Sequence, residues 1–400
     1  MVLEKYYDGI EIHREEKIIY AKFLSPHRVI STDRITGGLS DELEYIYNHQ
    51  SCEPTGHYHG HKLAVENPAE YKRLICEQHG LSAEKCASLG TAANMNNVAI
   101  SHDKFHELEV VAVCTGGVET NAGRVGDTAS YYEKDGNFVH VDAMTETLQS
   151  TLLGGGVGVS RGERATENHG TINTMVFISQ ELIPGAMVRA VMTATEAKTA
   201  VLQELAVNSR YSDGLATGTG TDQIGIASKL GSAAPLTSAG KHTKLGELIG
   251  KTVHDAIKQT LALQNRMTPQ GRCSALIHIE RFGADKDFFC ASVGKYLQEA
   301  EAELFNKNFL CINNDPPTVA AVAALVHLRD KFVWGTLPES CMPEILSSYG
   351  AQIAAAVSGK YNRIPYYIEK LSAERKSMDN EIFLNFVYKS FALGFSEKWL

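Results

Sequence analysis

The sequence predicts an α/β domain, in which helices pack on a mixed sheet, followed by a mainly helical C-terminal region. Short apolar runs bordered by glycine, at 108–114 and 170–179, have the length and composition of buried strands. Longer stretches with apolar residues at helical spacing lie between and after them. The pattern changes after a break at 267–272, so we expect two domains, residues 1–268 and 272–400.

Composition restricts the class of protein. The chain has 400 residues, and 44% of them are hydrophobic, as is typical of globular proteins. Its net charge of −9 argues against electrostatic binding of nucleic acid. It contains no apolar run of the roughly 20 residues that a membrane span requires. The first residues lack the pattern of a signal peptide, and the eight cysteines lack paired spacing. We therefore expect a cytoplasmic protein with reduced thiols that handles a small molecule; a homo-oligomer is compatible with the sequence.

The secondary structure of the first domain follows from local patterns. Apolar alternation on both sides of Ser25-Pro26 predicts an antiparallel hairpin of strands 18–24 and 27–31. Proline and glycine then bound a helix at 67–81. An alanine-rich helix at 185–205 begins after Pro184 and consists mostly of good helix formers. The remaining predicted elements are a strand at 222–227, a helix at 243–267, a strand at 275–279 and helices at 286–309, 317–330 and 344–389.

The loop at 216–222 reads Ala-Thr-Gly-Thr-Gly-Thr-Asp and is the best candidate for a site. Glycine lets backbone N–H groups turn toward an anion, and Thr217, Thr219 and Thr221 add hydroxyl groups. Asp222 can accept a hydrogen bond or act as a base. The alternative is a tight turn in which the aspartate only caps backbone amides.

The alanine-rich helix carries two charged candidates. Glu196 lies among alanine and threonine, where a partly buried carboxylate would have a raised pKa and could act as a general base. Lys198 points to another side of the helix and, if buried, needs a partner such as Asp222. The alternative for both residues is an ordinary position on an exposed helix surface.

Polar residues near the ends of predicted strands are further candidates for substrate binding. Asn121, Arg124 and Asp127 follow the strand at 108–114, in the kind of loop where α/β sheets bind ligands. Asn173, at the start of the next strand, can hold an amide. The alternatives are a surface pair of Arg124 with Asp127, worth little energy, and a turn-capping role for Asn173.

His242 and Lys244 lie at the start of the helix at 243–267, where backbone N–H groups favour anions. Neither this segment nor the glycines at 154–158 matches a nucleotide-binding fingerprint, because Pro235 and Val159 occupy positions that require glycine. We interpret 154–158 as a substrate-facing loop or a hinge.

Three histidines form the one metal-like cluster of the sequence. His57, His59 and His61 alternate, so their imidazoles would share a face in an extended chain and could bind a metal ion. The segment is rich in glycine and proline, however, and a solvated loop is the interpretation that we favour.

Five short segments of the sequence form an ordered set of motifs. The segments are 115–127, 170–173, 194–200, 216–222 and 240–250. Together they resemble the adenosylcobinamide amidohydrolases of the CbiZ type, and they occur in the order of the family. The resemblance spans roughly residues 25–265. Glu119 departs from the small polar residue expected there, which leaves its role open.

This resemblance implies an enzyme that hydrolyses the amide joining a corrin ring to aminopropanol, giving adenosylcobyric acid and 1-amino-2-propanol in corrinoid salvage. It implies no certain cofactor, because the corrinoid substrate carries its own cobalt. Glu196 or Asp222 would activate water or a loop threonine, and Lys198 or His242 would protonate the amine. Two alternatives stay open: a corrinoid-binding protein without activity, and a metallohydrolase of another amide that uses the histidines. Residues 272–400 lie outside the resemblance, and we expect an accessory domain.

Overall fold

The computed structural model describes residues 1–52, 58–135, 137–141 and 170–398. The chain divides into two compact units, Met1–Met267 and Thr268–Leu400. In the described part of the chain, no helix combines the length and the apolar composition that crossing a membrane would need. Each unit has a hydrophobic core of its own.

The first unit is built from strands and four longer helices. Its strands are β1 (Val2–Tyr6), β2 (Ile10–Arg14), β3 (Ile18–Phe23), β4 (His27–Ser31), β5 (Gly38–Ser40), β6 (Tyr45–Gln50), β7 (Cys86–Thr91), β8 (Ala99–Phe105), β9 (Leu108–Thr115), β10 (Ala122–Gly123), β11 (Tyr131–Lys134), β12 (Asn137–His140), β13 (Asn173–Ile178), β14 (Gly218–Thr219) and β15 (Gln223–Lys229). Its helices are α1 (Tyr58–Glu66), α2 (Pro68–Gln78), α3 (Pro184–Glu204) and α4 (Lys244–Asn265).

Two mixed sheets organise this unit. One has the strand order β1-β2-β3-β6-β7, and the other has the order β5-β4-β15-β13-β9-β8. Neighbouring strands are antiparallel except for β6 with β7 and β13 with β15, which are parallel. The sheets pack face to face through an apolar layer that includes Ile12 and Ile46 from one sheet and Val111 and Phe177 from the other. This confirms the predicted mixed α/β class.

Helices cover the two outer faces. α3 and α4 pack on the six-stranded sheet, where Ala190 and Ile257 meet Val176 in a second apolar layer. α2 packs on the five-stranded sheet through Ile75 and Cys76. The first unit is therefore a four-layer arrangement of helix, sheet, sheet and helices.

The predicted hairpin at 18–31 is wrong. β3 pairs with β2 and β6, whereas β4 pairs with β15 and β5, so the turn at Ser25-Pro26 carries the chain from one sheet to the other. Val29 faces the layer between the sheets, and Ile30 packs toward the helices. A strand with apolar residues on both faces belongs inside a sheet, where it needs a partner on each side.

The second unit is helical, as predicted. Its helices are α5 (Pro269–Arg272), α6 (Ala275–Ile279), α7 (Lys286–Gly294), α8 (Glu299–Asn313), α9 (Pro316–Val333), α10 (Met342–Ser358), α11 (Ile364–Ser372) and α12 (Asn380–Ser396). Its core is rich in aromatic rings, and Phe289 has its ring centroid 5.0 Å from that of Phe391.

Two details of the second unit differ from expectation. The segment 275–279, predicted as a strand, is helix α6: Ser274 accepts the Ile277 N–H at its start, and buried Ala275 and Ile279 share a helix face at a spacing of four. The helix predicted at 286–309 is two helices, α7 and α8. Gln298 begins the second with a reciprocal capping arrangement with Glu301.

A buried ion pair joins the loop after β4 to α2. Lys72 Nζ lies 2.7 Å from Asp33 Oδ2, and both side chains are almost fully buried. The ammonium also donates to Thr36 Oγ1 at 2.6 Å and to the Cys86 carbonyl at 2.7 Å. Burial alone would raise the pKa of Asp33, but hydrogen bonds from Lys72 and from backbone N–H groups outweigh it and lower that pKa. Lys72 therefore connects α2 both to β7 of the five-stranded sheet and to the loop after β4.

We expect the substitution Lys72→Met to lower the free energy of unfolding by about 3–5 kcal/mol, because it leaves the Asp33 carboxylate buried without its cation. Denaturant titration measures this change. The matched control is Lys62→Met, which removes an exposed lysine 3.7 Å from Glu66 and should cost less than about 1 kcal/mol. Equal effects of the two substitutions would contradict the structural role of Lys72.

A second expectation concerns pH. Burial lowers the pKa of His27 to about 4, below the value of about 6.5 in the unfolded chain. Between these values the unfolded chain binds a proton that the folded protein does not, so stability falls as the pH falls from about 6.5 toward 4. We expect His27→Gln to reduce the slope of unfolding free energy against pH in this window by up to about 1.4 kcal/mol per pH unit. An unchanged slope, or an equal change in the exposed His106→Asn control, would contradict this assignment.

Candidate active site

The candidate site lies at one edge of the six-stranded sheet. Residues Thr115, Asn173 and Gln223 are neighbours in register, which brings together the end of β9 and the starts of β13 and β15. The loops that adjoin these positions carry most of the polar residues selected from the sequence. The same edge receives the short pairing of β10 with β14, in which Ala122 is opposite Thr219.

Asp222 is the centre of the site. Its Oδ1 accepts hydrogen bonds from the Thr219 hydroxyl at 2.6 Å and from the Ile172 N–H at 2.8 Å. Its Oδ2 accepts from the Thr219 N–H at 3.0 Å and forms an ion pair with Lys198 of α3. The Lys198 and Asp222 side chains are 16% and 12% exposed, so the pair is largely shielded from water but open to one side. The structure thus brings together three of the four predicted catalytic residues, namely Thr219, Asp222 and Lys198.

Gly218 is required by this close packing. A Cβ atom at Gly218 would lie 2.5 Å from the Asp222 Oδ2 atom and 3.0 Å from the Lys198 Nζ atom. Any side chain there would push the carboxylate away from the ammonium. Because Gly218 has no side chain, the backbone of the loop can lie directly against the ion pair.

A network of hydroxyl and amide groups continues from this centre. Thr221 Oγ1 lies 2.6 Å from Thr171 Oγ1, and Thr221 also donates to the Gly170 carbonyl at 3.0 Å. Asn121 Nδ2 donates to the same carbonyl at 3.0 Å, and Asn121 Oδ1 accepts from the Tyr211 hydroxyl at 2.6 Å. Tyr211 was missed from the sequence, since a lone tyrosine in a polar loop gives no signal of this contact.

Thr217, Arg124 and Asp127 shape the loops. The Thr217 hydroxyl accepts from the Val125 N–H at 2.8 Å, and Arg124 donates to the Leu215 carbonyl at 3.2 Å. Asp127 accepts from the Arg124 N–H at 2.8 Å and from the Ser209 hydroxyl at 2.6 Å. Burial acts to raise the pKa of Asp127, but these hydrogen bonds and one from Ser212 lower it overall. These side chains join the β10 loop to the segment before β14.

Asn173 lies beneath the site rather than in its wall. The side chain is fully buried, and its Nδ2 donates to Asn48 Oδ1 at 2.9 Å and to the Gly90 carbonyl at 2.8 Å. Asn48 in turn donates to Thr115 at 2.8 Å. The amide of Asn173 therefore connects the two sheets. Because the side chain is fully buried, it is not accessible to a substrate amide in this structure, contrary to the expectation from the sequence.

Glu196 lies elsewhere, although it is only two residues from Lys198. Its side chain is 50% exposed and pairs with Lys241 at 2.8 Å, so the expected partial burial of this carboxylate is wrong. Residues two apart on a helix point in nearly opposite directions, and Lys198 is the one that faces Asp222. Glu196 instead borders a groove of about 720 Å³ between α3 and α4.

His242 and Lys244 lie outside the Asp222 network as well, at the start of α4. Lys244 pairs with Glu247 at 2.7 Å and lies over the Phe105 ring, and His242 is exposed. The N–H of Gly246 is capped by Thr243, so this helix start already has an internal acceptor.

The proposed metal ligands are only partly within the described residues. His57 and the side chain of His59 lie outside them, as do the glycines at 154–158. His61 Nδ1 lies 3.3 Å from the Ser51 hydroxyl. Among the side chains that the structure describes, no group of three histidine, cysteine or acidic residues is arranged to bind a metal ion.

Comparison with known proteins identifies the family of the chain. Residues 3–269, which include the whole Asp222 network, match the family described as adenosylcobinamide amidohydrolase (CbiZ). The chain therefore belongs to that family. It is also 34% identical over 255 residues to an uncharacterized protein of Methanocaldococcus jannaschii, covering 63% of this chain and 89% of the relative.

We expect Asp222→Ala to loosen the loop around Gly218, because the N–H groups of Thr219 and Ile172 and the ammonium of Lys198 all lose their acceptor. Hydrogen exchange should become at least about tenfold faster at both amides, matching a loss of about 1.4 kcal/mol or more in local stability. The control Asp103→Ala removes a partly exposed carboxylate that accepts from the Lys104 N–H at 2.8 Å and lies 3.8 Å from Lys251, and it should leave these amides unchanged. Unchanged exchange in Asp222→Ala would show that the carboxylate does not hold the loop.

Proposed function

We propose that this protein hydrolyses the amide of adenosylcobinamide that joins the corrin ring to aminopropanol, giving adenosylcobyric acid and 1-amino-2-propanol. The observation that carries the proposal is the contact of the Thr219 hydroxyl with the Asp222 carboxylate, which also contacts Lys198. A hydroxyl, a base and a proton donor in contact are the groups that amide hydrolysis requires. Membership of the family supplies the choice of substrate.

In the proposed first step, the Thr219 Oγ attacks the amide carbonyl while its proton passes to Asp222, 2.6 Å away. The carbon–nitrogen bond then breaks as Lys198 protonates the leaving amine, and Asp222 returns the proton to Lys198. The exposed backbone at Gly220, directly after Thr219, is the proposed source of an N–H group for the oxyanion. An ester between Thr219 and the corrinoid acid remains.

In the proposed second step, water attacks this ester. Asp222 accepts a proton from the water and returns it to the Thr219 oxygen, so the enzyme regains its starting form. The net change is the addition of one water molecule across one amide bond. The cobalt belongs to the substrate in this scheme, and no step of the scheme uses it.

The roles of Asn121, Thr217 and Thr221 are to position the substrate. Thr221 is exposed, and its hydroxyl can bind a peripheral carboxamide of a corrinoid. The buried Asn121 acts indirectly, because its amide contacts the Gly170 carbonyl and the Tyr211 hydroxyl, and Thr217 acts by holding the Val125 N–H. Arg124 and Asp127 act indirectly, by fixing the loop that presents Asn121. Such a large substrate needs several polar loops around one reacting bond.

The first experiment is incubation of the protein with adenosylcobinamide, with and without a chelator, followed by mass spectrometry of the products. Adenosylcobyric acid in both samples is the expected result. Product only without chelator would move the chemistry to a bound metal ion and to the histidines at 57–61. A corrinoid that binds and is recovered unchanged would indicate a binding protein and would overturn the proposed reaction.

Substitutions distinguish the two carboxylates, Asp222 and Glu196, as candidates for the base. We expect Thr219→Ala and Asp222→Asn to lower kcat by at least about 10²-fold, since each removes a group that acts on the reacting atoms. Glu196→Gln, on the other side of α3, should retain activity within about threefold. Loss of turnover in Glu196→Gln with full activity in Asp222→Asn would overturn the assignment of the base.

A further inference from the structure

A hairpin beside the candidate site exposes aromatic side chains. β11 and β12 pair so that Tyr131 lies opposite His140 and Glu133 lies opposite Phe138. Directly opposed residues and residues two apart share one face of a hairpin, so Tyr131 and Phe138 lie on the same face. Tyr131 is 45% and Phe138 58% exposed. Large apolar surface of this kind on a two-stranded element is typical of a binding surface.

This aromatic face is continuous with the Asp222 network on one side. The hairpin follows Asp127, which is fixed by Ser209, and Tyr211 lies two residues beyond Ser209. Tyr211 is 43% exposed, yet its hydroxyl donates to Asn121 at 2.6 Å. Burial of part of the ring raises the pKa of Tyr211, and the charge interaction with Tyr131 adds to this effect.

On the other side, the hairpin reaches the loop that follows β4. The Arg34 guanidinium lies over the Phe138 ring, 5.7 Å from its centroid. Thr32, at the start of that loop, accepts the Ile224 N–H at 3.0 Å and donates its own N–H to the Ile224 carbonyl at 2.9 Å. Ile224 is two residues from Asp222. The hairpin therefore borders the site from Asn121 to the start of β15.

We propose that the aromatic face formed by Tyr131, Phe138 and Tyr211 binds the corrin macrocycle of the substrate while one of its side-chain amides lies at Thr219. This inference rests on the proposed function. A conjugated, nearly planar ring offers the extended surface on which aromatic side chains stack, whereas the aminopropanol portion is too small to supply much binding energy. Binding energy from a remote part of the substrate can then position the reacting amide.

A protein segment that adds to the edge of the hairpin is the competing occupant. Stacking favours the macrocycle, because the exposed rings of Tyr131 and Phe138 share one face of the hairpin, and Tyr211 contacts Asn121 of the network. A peptide would use backbone groups instead, and removal of ring faces would then have little effect.

The test uses cobyric acid as a binding probe, since it keeps the macrocycle but lacks the amide to be cleaved. Equilibrium dialysis of the full-length protein, read by corrin absorbance, gives Kd for Tyr131→Ala, Phe138→Ala and the wild type. We expect Kd to rise about 3- to 10-fold in each variant, as for the loss of one aromatic contact. KM for adenosylcobinamide should rise by a similar factor, with kcat changed less than about twofold.

Two matched variants make the result specific. Phe138→Tyr keeps the ring and should keep wild-type affinity. Phe288→Ala removes an equally exposed ring, 50% exposed in the second unit, and should leave Kd unchanged. Unchanged Kd in both hairpin variants, or an equal rise in Phe288→Ala, overturns the aromatic site. A wild-type protein that neither binds cobyric acid nor cleaves adenosylcobinamide would instead overturn the proposed function.

Discussion

The carboxylate of Asp222 receives hydrogen bonds or charge from three separate segments: its own loop through Thr219, the chain before β13 through Ile172, and α3 through Lys198. Each of these segments belongs to a different layer or connection of the first unit. Removal of the carboxylate would leave a largely buried ammonium and two backbone N–H groups without an acceptor. The carboxylate also supports the neighbouring loop, because it holds Thr219 of β14, which pairs with Ala122 of β10 next to Asn121.

The two sheets supply the rigid support that this arrangement needs. Asn48, Thr115 and Asn173 form a buried chain of hydrogen bonds between them, directly beneath the loops. A polar connection inside an otherwise apolar layer fixes the relative register of the sheets more strictly than apolar contacts, which tolerate sliding. The reacting groups thus rest on two sheets rather than on a flexible loop.

Local patterns in the sequence predicted the positions of helices and strands better than they predicted which strands pair with each other. The helices at 67–81, 185–205 and 243–267 and the strands at 108–114 and 222–227 follow from apolar spacing and from glycine and proline, and all are confirmed within a few residues. The hairpin at 18–31 was wrong because pairing depends on β15, almost 200 residues later. Likewise, residue type alone selected Thr219, Asp222 and Lys198 together with Glu196. Only the fold shows that Lys198 contacts Asp222 whereas Glu196 points to another surface of the helix. Tyr211 and the connecting role of Asn173 depend on contacts across the chain and could not be predicted from local sequence.

The order of strands in the six-stranded sheet has a consequence for synthesis of the chain. β4 lies inside this sheet, and one of its two partners, β15, ends at Lys229. During translation, a strand with apolar residues on both faces must therefore wait for almost 200 further residues, a period of roughly 10–40 s at common elongation rates. Over that time, the side of β4 that pairs with β15 has no partner strand. Chaperones bind unpaired apolar strands of this kind, and without chaperones such strands aggregate. Slow, long-range pairing of this strand makes the yield of folded protein depend on the cell's folding machinery as well as on the stability of the finished fold.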